Sequence, residues 1–312
     1  MIVGQPKCGT TDFYYALQMH PDVVRCNIKE PHWWTRQRKK TKKATLGRYG
    51  AYFSGAAEHI QEVTQITASG ERIHPVVTGE ASASTFWDMS YWRMMPENRG
   101  CDEPQYMTAH YVKHILPDVK IMVILRNPID RLLSDSFYFS FAKTMDMFHS
   151  QVVKSVAILR SCFQQREAQR CLTDNAVTSQ LKARVHLGLY HVFLVTWLKV
   201  FPRSQVKVVQ LEEYSRNRTS AMNDIFTFLD LDPLPASEAV RLQEARVRNK
   251  RPKKKRARSM LNETRILLEQ FYRPFNERLA SLLGDDKFLW NTSLPLVTAR
   301  AAEPTVIALL LL

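Results

Sequence analysis

Three short stretches of this sequence carry residue types suited to gripping an anionic group beside a reactive hydroxyl. The first is Gly4-Gln5-Pro6-Lys7-Cys8-Gly9-Thr10-Thr11, set between an apolar tripeptide and an amphipathic run. A loop joining a strand to a helix N-terminus offers unpaired backbone N–H groups and the positive end of the helix dipole to a phosphate or sulfate. Gly4 and Gly9 permit tight backbone, Lys7 adds a charge, and Thr10 and Thr11 add hydroxyl donors. The two glycines have the spacing of the nucleoside-triphosphate loop G-x-x-x-x-G-K-[ST], but Thr10 stands at the lysine position. The lysine has moved inside the loop, to position 7. That departure disfavours ATP–Mg chemistry, and with it a nucleotide kinase, and favours another phosphate donor. An ordinary glycine-containing turn is the alternative.

The second stretch is Ile28-Lys29-Glu30-Pro31-His32-Trp33-Trp34. A carboxylate just beyond a strand end, flanked by Lys29 and His32, is a general-base candidate, and the two indoles suit a sugar ring. A surface loop with a salt bridge and two partly buried tryptophans is equally consistent with the spacing. The third runs from Leu125 through Arg126-Asn127-Pro128 to Ser134 and Asp135. An arginine leaving a buried strand, with a serine two turns into the next helix, can grip a phosphate at two points. The bland alternative is a helix-capping arginine with a structural serine.

The elements that must position these groups read as α/β. Met1–Val3 ends a strand, a helix carries Phe13, Tyr14, Leu17 and Met19 as far as His20-Pro21, and 23–26 is a short second strand. Strand, loop, helix, strand is the start of a βαβ unit, hence a central parallel sheet flanked by helices. Further strands are expected at 75–80, at 119–125 (the clearest buried one) and at 206–211. Helices are expected at 109–116, from about Ile129, at 184–201, 220–229 and 262–283, and residues 36–50 read as a basic loop. No glycine- or proline-rich linker divides the strands, so one domain covers 1–293, followed by an unstructured or artefactual tail at 294–312.

The 44 Lys+Arg exceed the 30 Asp+Glu by 14, which favours an anionic partner without choosing among nucleic acid, an acidic membrane surface and an acidic glycan. Basic runs at Arg36–Lys43 and Lys250–Arg256 carry much of the excess. They read either as solvated loops or as contacts to a polyanion. No apolar run approaches the ~20 residues needed to span a bilayer. The five cysteines show no metal-site spacing, although Cys162 and Cys171 could close a small loop. Sequons at Asn217, Asn262 and Asn291 point mildly to a secretory lumen.

Taken together, Gln5-Pro6-Lys7-Cys8-Gly9-Thr10-Thr11, Lys29-Glu30-Pro31-His32 and Arg126 with Ser134 resemble the Golgi carbohydrate (glycosaminoglycan) sulfotransferase family. Its P-loop-like fold uses 3′-phosphoadenosine 5′-phosphosulfate (PAPS). Further similar segments follow in order: Gly79–Thr85, Gly188-Leu189-Tyr190 with Trp197 and Phe201, and Phe271–Asn276. The resemblance covers residues 2 to 290. It implies that Lys7 contacts the leaving-group oxygen and 5′-phosphate, and that amides of Cys8, Gly9, Thr10 and Thr11 hold the 5′-phosphate and sulfuryl oxygens. Arg126 and Ser134 would then bind the 3′-phosphate, with Lys250 and Arg251 close to the nucleotide. Glu30 would act as the base, and His32 would assist or orient the sugar. No metal and no nucleic acid are implied.

Family members acting on heparan carry a lysine where Ala81 follows Glu80 here, so the resemblance favours chondroitin or dermatan sulfate, at the 6-hydroxyl of N-acetylgalactosamine 4-sulfate. It also implies a Cys162–Cys171 disulfide, a Golgi-lumenal location, and a type II membrane anchor that this sequence does not contain. A first strand of three residues is shorter than the usual ~5–6, so a cut first strand is expected. The alternatives are a sulfotransferase acting on another glycan, a nucleotide kinase, and a basic glycan-binding relative without catalysis.

Overall fold

The computed structural model describes residues 1–37, 44–245 and 259–290. Lys250 and Arg251, the basic runs beyond Gln37 and within 246–258, the sequon at Asn291 and the tail lie outside the described residues.

The sheet rests on apolar runs short enough to be strands. β1 (Ile2–Gly4), β6 (Ile121–Leu125) and β7 (Val206–Gln210) form a parallel three-stranded sheet in the order β1-β6-β7. All five residues of β6 are buried, as a strand covered on both faces requires. β2 (Val23–Arg25) pairs in parallel with β5 (Val77–Gly79). A parallel bridge between Ile2 and Ala81 joins the two sheets, reinforced by Ile2 N–H to the Glu80 carbonyl at 2.9 Å and Ser82 N–H to the Ile2 carbonyl at 3.1 Å. The strand order is therefore β2-β5-β1-β6-β7. A two-residue hairpin, β3 (Gln65–Ile66) with β4 (Arg72–Ile73), stands apart.

The helices that bear on the site are α1 (Thr10–Leu17), α2 (Pro128–Phe139), α3 (Met145–Gln165), α4 (Tyr190–Leu198), α5 (Leu211–Arg216), α6 (Arg218–Phe228), α7 (Ala236–Glu244) and α8 (Asn262–Leu283). Asn127 starts α2: its side chain accepts from Ile129 N–H, and Pro128 fills the first turn, where no N–H is needed. Gly284, at φ 65°, ends α8 in the left-handed conformation that a glycine adopts without strain.

Three expectations need correction. The helix expected at 184–201 is broken into a 3-10 turn, Val185–Gly188, and α4. Tyr272 takes the Val185 carbonyl at 2.8 Å, and Gly188 packs so tightly that an added Cβ would lie 2.7 Å from the Tyr272 ring and 2.8 Å from Pro128. Part of the expected 36–50 loop is helical: Leu46–Gly50 is capped by the Thr45 hydroxyl. Trp33 and Trp34 are no sugar platform, because they are 3% and 0% exposed and pack around Tyr49 at ring distances of 4.8 and 5.1 Å.

The disulfide expected between Cys162 and Cys171 is present, tying the end of α3 to the helix Ala168–Thr173. A cross-link spanning nine residues stabilises by about 2–3 kcal/mol through the unfolded chain. Gly188→Ala should destabilise by about 1–3 kcal/mol, the usual cost of overpacking, read as a lower urea midpoint. An unchanged midpoint would mean that Tyr272 and Pro128 move aside freely.

Candidate active site

Every strand of the parallel order leaves its C-terminal end toward one cavity of about 750 Å³. Lys7, Gly9, Thr10 and Thr11 follow β1, and Glu30 and His32 follow β2; all line it. So do Ala83 and Ser84 after β5, Arg126 and Ser134 after β6, and Leu211 after β7.

The first loop is stitched to the sheet by Gln5, whose N–H reaches the Ile124 carbonyl at 3.0 Å and whose side chain donates to the Leu187 carbonyl at 2.5 Å. Lys7 (φ 67°) and Gly9 (φ 86°) then turn the chain into α1, whose first N–H groups have no partner within the helix. At Gly9 a side chain would be strained by the left-handed φ and would have to push back the Leu211 methyl, 2.7 Å from where a Cβ would stand. Cys8 is the loop member turned away. It is fully buried, its N–H closes a turn onto the Gln5 carbonyl at 3.1 Å, and its sulfur faces the Tyr190 hydroxyl at 3.8 Å. Burial pushes its thiol up to about 12, so it is an inert neighbour of the loop.

Lys7 Nζ rests 3.6 Å from the centre of the Tyr138 ring, a cation–π contact on the cavity wall. Burial lowers the Lys7 ammonium below its ordinary value; Asp135 opposes this and the Arg126 and Arg184 guanidiniums add to it. Arg126 reaches the Lys7 carbonyl at 3.4 Å, and the Tyr190 hydroxyl holds the Arg126 carbonyl at 2.8 Å. Glu212 accepts from Asn127 N–H at 2.8 Å, fixing the turn from which Arg126 departs. On α2, Ser134 shares the cavity face with Asp130 and Tyr138, one turn to either side.

Glu30 and His32 adopt left-handed backbone, φ 60° and 51°, on either side of Pro31. Such strain persists only when neighbours over-determine it, and here the segment after β5 does so. Glu30 N–H donates to the Ala81 carbonyl at 2.9 Å, Ala83 N–H to Glu30 Oε2 at 2.9 Å, and His32 N–H to Ser82 Oγ at 3.0 Å. Lys29 Nζ lies 2.8 Å from Glu30 Oε1, and His32 Nε2 lies 3.4 Å from Glu30 Oε2. His32 is lowered below its ordinary range, first by burial and then by Arg36, against the pull of Glu30.

Residues that the sequence does not single out complete the site. Arg184 forks onto Asp135 from the cavity wall, while wholly buried Arg131 donates to the Arg184 carbonyl at 2.8 Å and pairs with Asp135 at 3.4 Å. Arg218 pairs with Asp12 at 3.2 Å and holds the Leu242 and Ala245 carbonyls at the end of α7. Arg131 and Asp135 have the i,i+4 spacing of one helix face, but no local spacing could reveal that Arg184, 49 residues on, forks onto Asp135, or that Arg218 pairs with Asp12. The lining holds six Lys or Arg side chains against three carboxylates, a balance that attracts an anion.

Residues 1–278 match the sulfotransferase domain family, and the chain belongs to that family. Over 304 residues it is 35% identical to carbohydrate sulfotransferase 15 of Homo sapiens, with 94% of this chain and 54% of that protein covered. It thus spans about half the length of that relative. It is also 25% identical over 305 residues to heparan sulfate glucosamine 3-O-sulfotransferase 6 of Homo sapiens, covering 93% of this chain and 73% of that one. A sulfotransferase from Alicyclobacillus acidocaldarius shares the fold, with a TM-score of 0.53, 22% identity, and 91% and 95% of the two chains covered.

Behind the site, Glu80 is 2% exposed and accepts from the Ser82 hydroxyl at 3.0 Å. Burial pushes its carboxyl from 4.5 up to about 7, the Ser82 bond opposing. The folded chain therefore holds a proton that the unfolded chain releases between about 4.5 and 7, so this group's contribution to stability falls as pH rises through that window. Glu80→Gln keeps an acceptor for Ser82 and should flatten the fall, read by urea unfolding at mildly acidic and mildly alkaline pH. An unchanged slope would mean that Glu80 is ionised in the fold.

Proposed function

We propose that this chain transfers a sulfuryl group from PAPS to a hydroxyl of a glycosaminoglycan, specifically the 6-hydroxyl of N-acetylgalactosamine 4-sulfate in chondroitin or dermatan sulfate. The observation that carries the reading is the convergence of the Lys7–Thr11 loop, the Arg126–Ser134 pair and the Glu30–His32 pair on one cation-rich cavity. The carbohydrate sulfotransferase relatives support a glycan acceptor, and Ala81, standing where heparan-acting members carry a lysine after Glu80, supports the finer assignment.

PAPS supplies an activated sulfuryl group whose S–O bond to the 5′-phosphate breaks as the acceptor oxygen bonds to sulfur, leaving 3′-phosphoadenosine 5′-phosphate (PAP). The N–H groups at the start of α1, with the Thr10 and Thr11 hydroxyls, would hold the 5′ end. Lys7, released from the Tyr138 face, would neutralise charge growing on the departing oxygen. Arg126 and Ser134 would take the 3′-phosphate, the Arg supplying a forked pair of donors. Glu30 would accept the proton of the attacking hydroxyl, held in place by Lys29 and Ala83 N–H. Positioning and charge stabilisation carry such transfers, as they do for phosphoryl groups.

A Golgi-lumenal setting belongs to this reading. A disulfide suits an oxidising compartment, and the sequon residues Asn217 and Asn262 are exposed. Among the described residues no helix is long and apolar enough to cross a membrane.

The test is incubation with sulfur-labelled PAPS and chondroitin, dermatan and heparan acceptors, followed by disaccharide analysis. Label on the 6-position of 4-sulfated N-acetylgalactosamine is expected. Label on another sugar would replace the acceptor, and no transfer with PAP still bound would make the chain a glycan-binding relative. Glu30→Gln should cut transfer by about 10²–10⁴-fold, the range of a lost general base, while PAP still binds. An intact rate in that variant would remove Glu30 from the chemistry.

A further inference from the structure

The Glu30–His32 pair is held from behind by two hydroxyls that constrain what His32 can do. His32 Nδ1 lies 2.7 Å from Ser84 Oγ, and Ser84 Oγ lies 2.6 Å from Thr35 Oγ1. Ser84 is 1% exposed and Thr35 0%, so bulk water offers neither hydroxyl another partner. Each hydroxyl has a single proton to give. Ser84 could accept from both neighbours only by leaving its own buried proton without an acceptor, since His32 Nδ1 and Thr35 Oγ1 are its only hydroxyl contacts among the described residues, so the two short contacts run in one direction.

Consider first the run from His32 toward Thr35. Nδ1 then carries the ring proton, Thr35 must donate to the His32 carbonyl at a long 3.5 Å, and a bare Nε2 lone pair faces the Glu30 carboxylate at 3.4 Å. In the opposite run Thr35 donates to Ser84 and Ser84 donates to Nδ1. The ring proton then sits on Nε2 and faces the carboxylate as a donor, so both short hydroxyl contacts and the Glu30 contact pair a donor with an acceptor, and only the long 3.5 Å approach of Thr35 to the His32 carbonyl is given up. The other charged neighbours of the ring are Lys29, Arg36 and Asp88. Only Arg36, 3.5 Å from Nε2, would favour a bare nitrogen there. Its side chain is 48% exposed, so solvent screens it more than it does the Glu30 contact.

We propose that Ser84, aligned by Thr35, is a positioning residue that fixes neutral His32 as its Nε2–H tautomer, making His32 a hydrogen-bond donor to the Glu30 carboxylate and not a second base. This rests on the reading of Glu30 as the proton acceptor and deepens it. Burial, which disfavours the charged ring, keeps the neutral form in play. The left-handed backbone at both Glu30 and His32 aims the two side chains at each other, and the hydroxyl pair removes the remaining freedom, the ring's choice of tautomer.

The test is long-range nitrogen–proton NMR on the full chain labelled at histidine, with the His32 signals assigned by their loss in His32→Asn. Wild type should show an unprotonated Nδ1 and a protonated Nε2; the reverse pattern overturns the proposal. Ser84→Ala should give a mixture of tautomers and lower kcat by about 10–100-fold, the scale of a misaligned catalytic group, with the KM for PAPS unchanged. Ser84→Thr, which keeps the hydroxyl, should restore both the spectrum and kcat. A Ser84→Ala protein with wild-type tautomer and kcat sinks the idea, as does one whose only defect is a raised KM for PAPS. Should that variant not fold, the wild-type spectrum decides alone. Activity in Glu30→Gln would undo the general-base reading yet leave the tautomer measurement standing, so the two failures are distinguishable.

Discussion

The site depends on the parallel insertion of β1 between β5 and β6. Ile2 is bonded to the Glu80–Ser82 segment on one side, and Gln5 takes the Ile124 carbonyl on the other. Parallel strands share an edge at their C-terminal ends, where open α/β sheets gather their ligands. With β1 in that slot, the loop after it lies between the segment after β5, which holds the Glu30–His32 turn in place, and the segment after β6, which carries Arg126. Shifting β1 along its neighbours would pull Lys7 away from both. Five short strands thus bring together groups from opposite ends of the sequence.

A second constraint is electrostatic. Six cationic side chains around one cavity repel one another, and the fold offsets this with carboxylates set in the wall and behind it. Asp135 is wholly buried between Arg131 and Arg184, and Asp12 pairs with Arg218 while accepting from Tyr214 at 2.8 Å. Breaking a buried pair leaves an uncompensated charge, a far larger loss than removing an exposed ion pair. Arg184 and Arg218 are therefore held in position, whereas Lys7 sits against Tyr138 through a contact that an arriving anion can displace. In the proposed transfer the fixed guanidiniums would bind the nucleotide, and the Lys7 ammonium would be free to follow charge onto the leaving group.

Much of this is legible in sequence because its signals are local. The loop glycines, Lys7, the Asn127–Pro128 helix start and the apolar run of β6 each declare themselves within a few residues, and α8 matches the expected 262–283. The disulfide followed from family likeness. What stays hidden depends on contacts across the chain. Gly188 reads as a tolerable residue inside a helix until Tyr272 and Pro128 are seen beside it, and Trp33 and Trp34 read as a binding surface until Tyr49 is seen to cover them. Helix α3 does not stand out, since exposed Met147 and Val153 blur its apolar face. Ser84 and Thr35 are unremarkable hydroxyls, 49 residues apart, that acquire a role only through burial beside His32.

The central claim is that Arg126 and Ser134 recognise a 3′-phosphate while the loop before α1 holds the 5′ end of the same nucleotide. Calorimetric titration of the chain with PAP and with adenosine 5′-phosphate isolates that one phosphate. A charge-assisted grip worth about 1.5–3 kcal/mol predicts that PAP binds roughly 10–100-fold tighter, with the advantage lost in Arg126→Ala. Equal affinities for the two nucleotides in the folded wild-type chain would contradict the account.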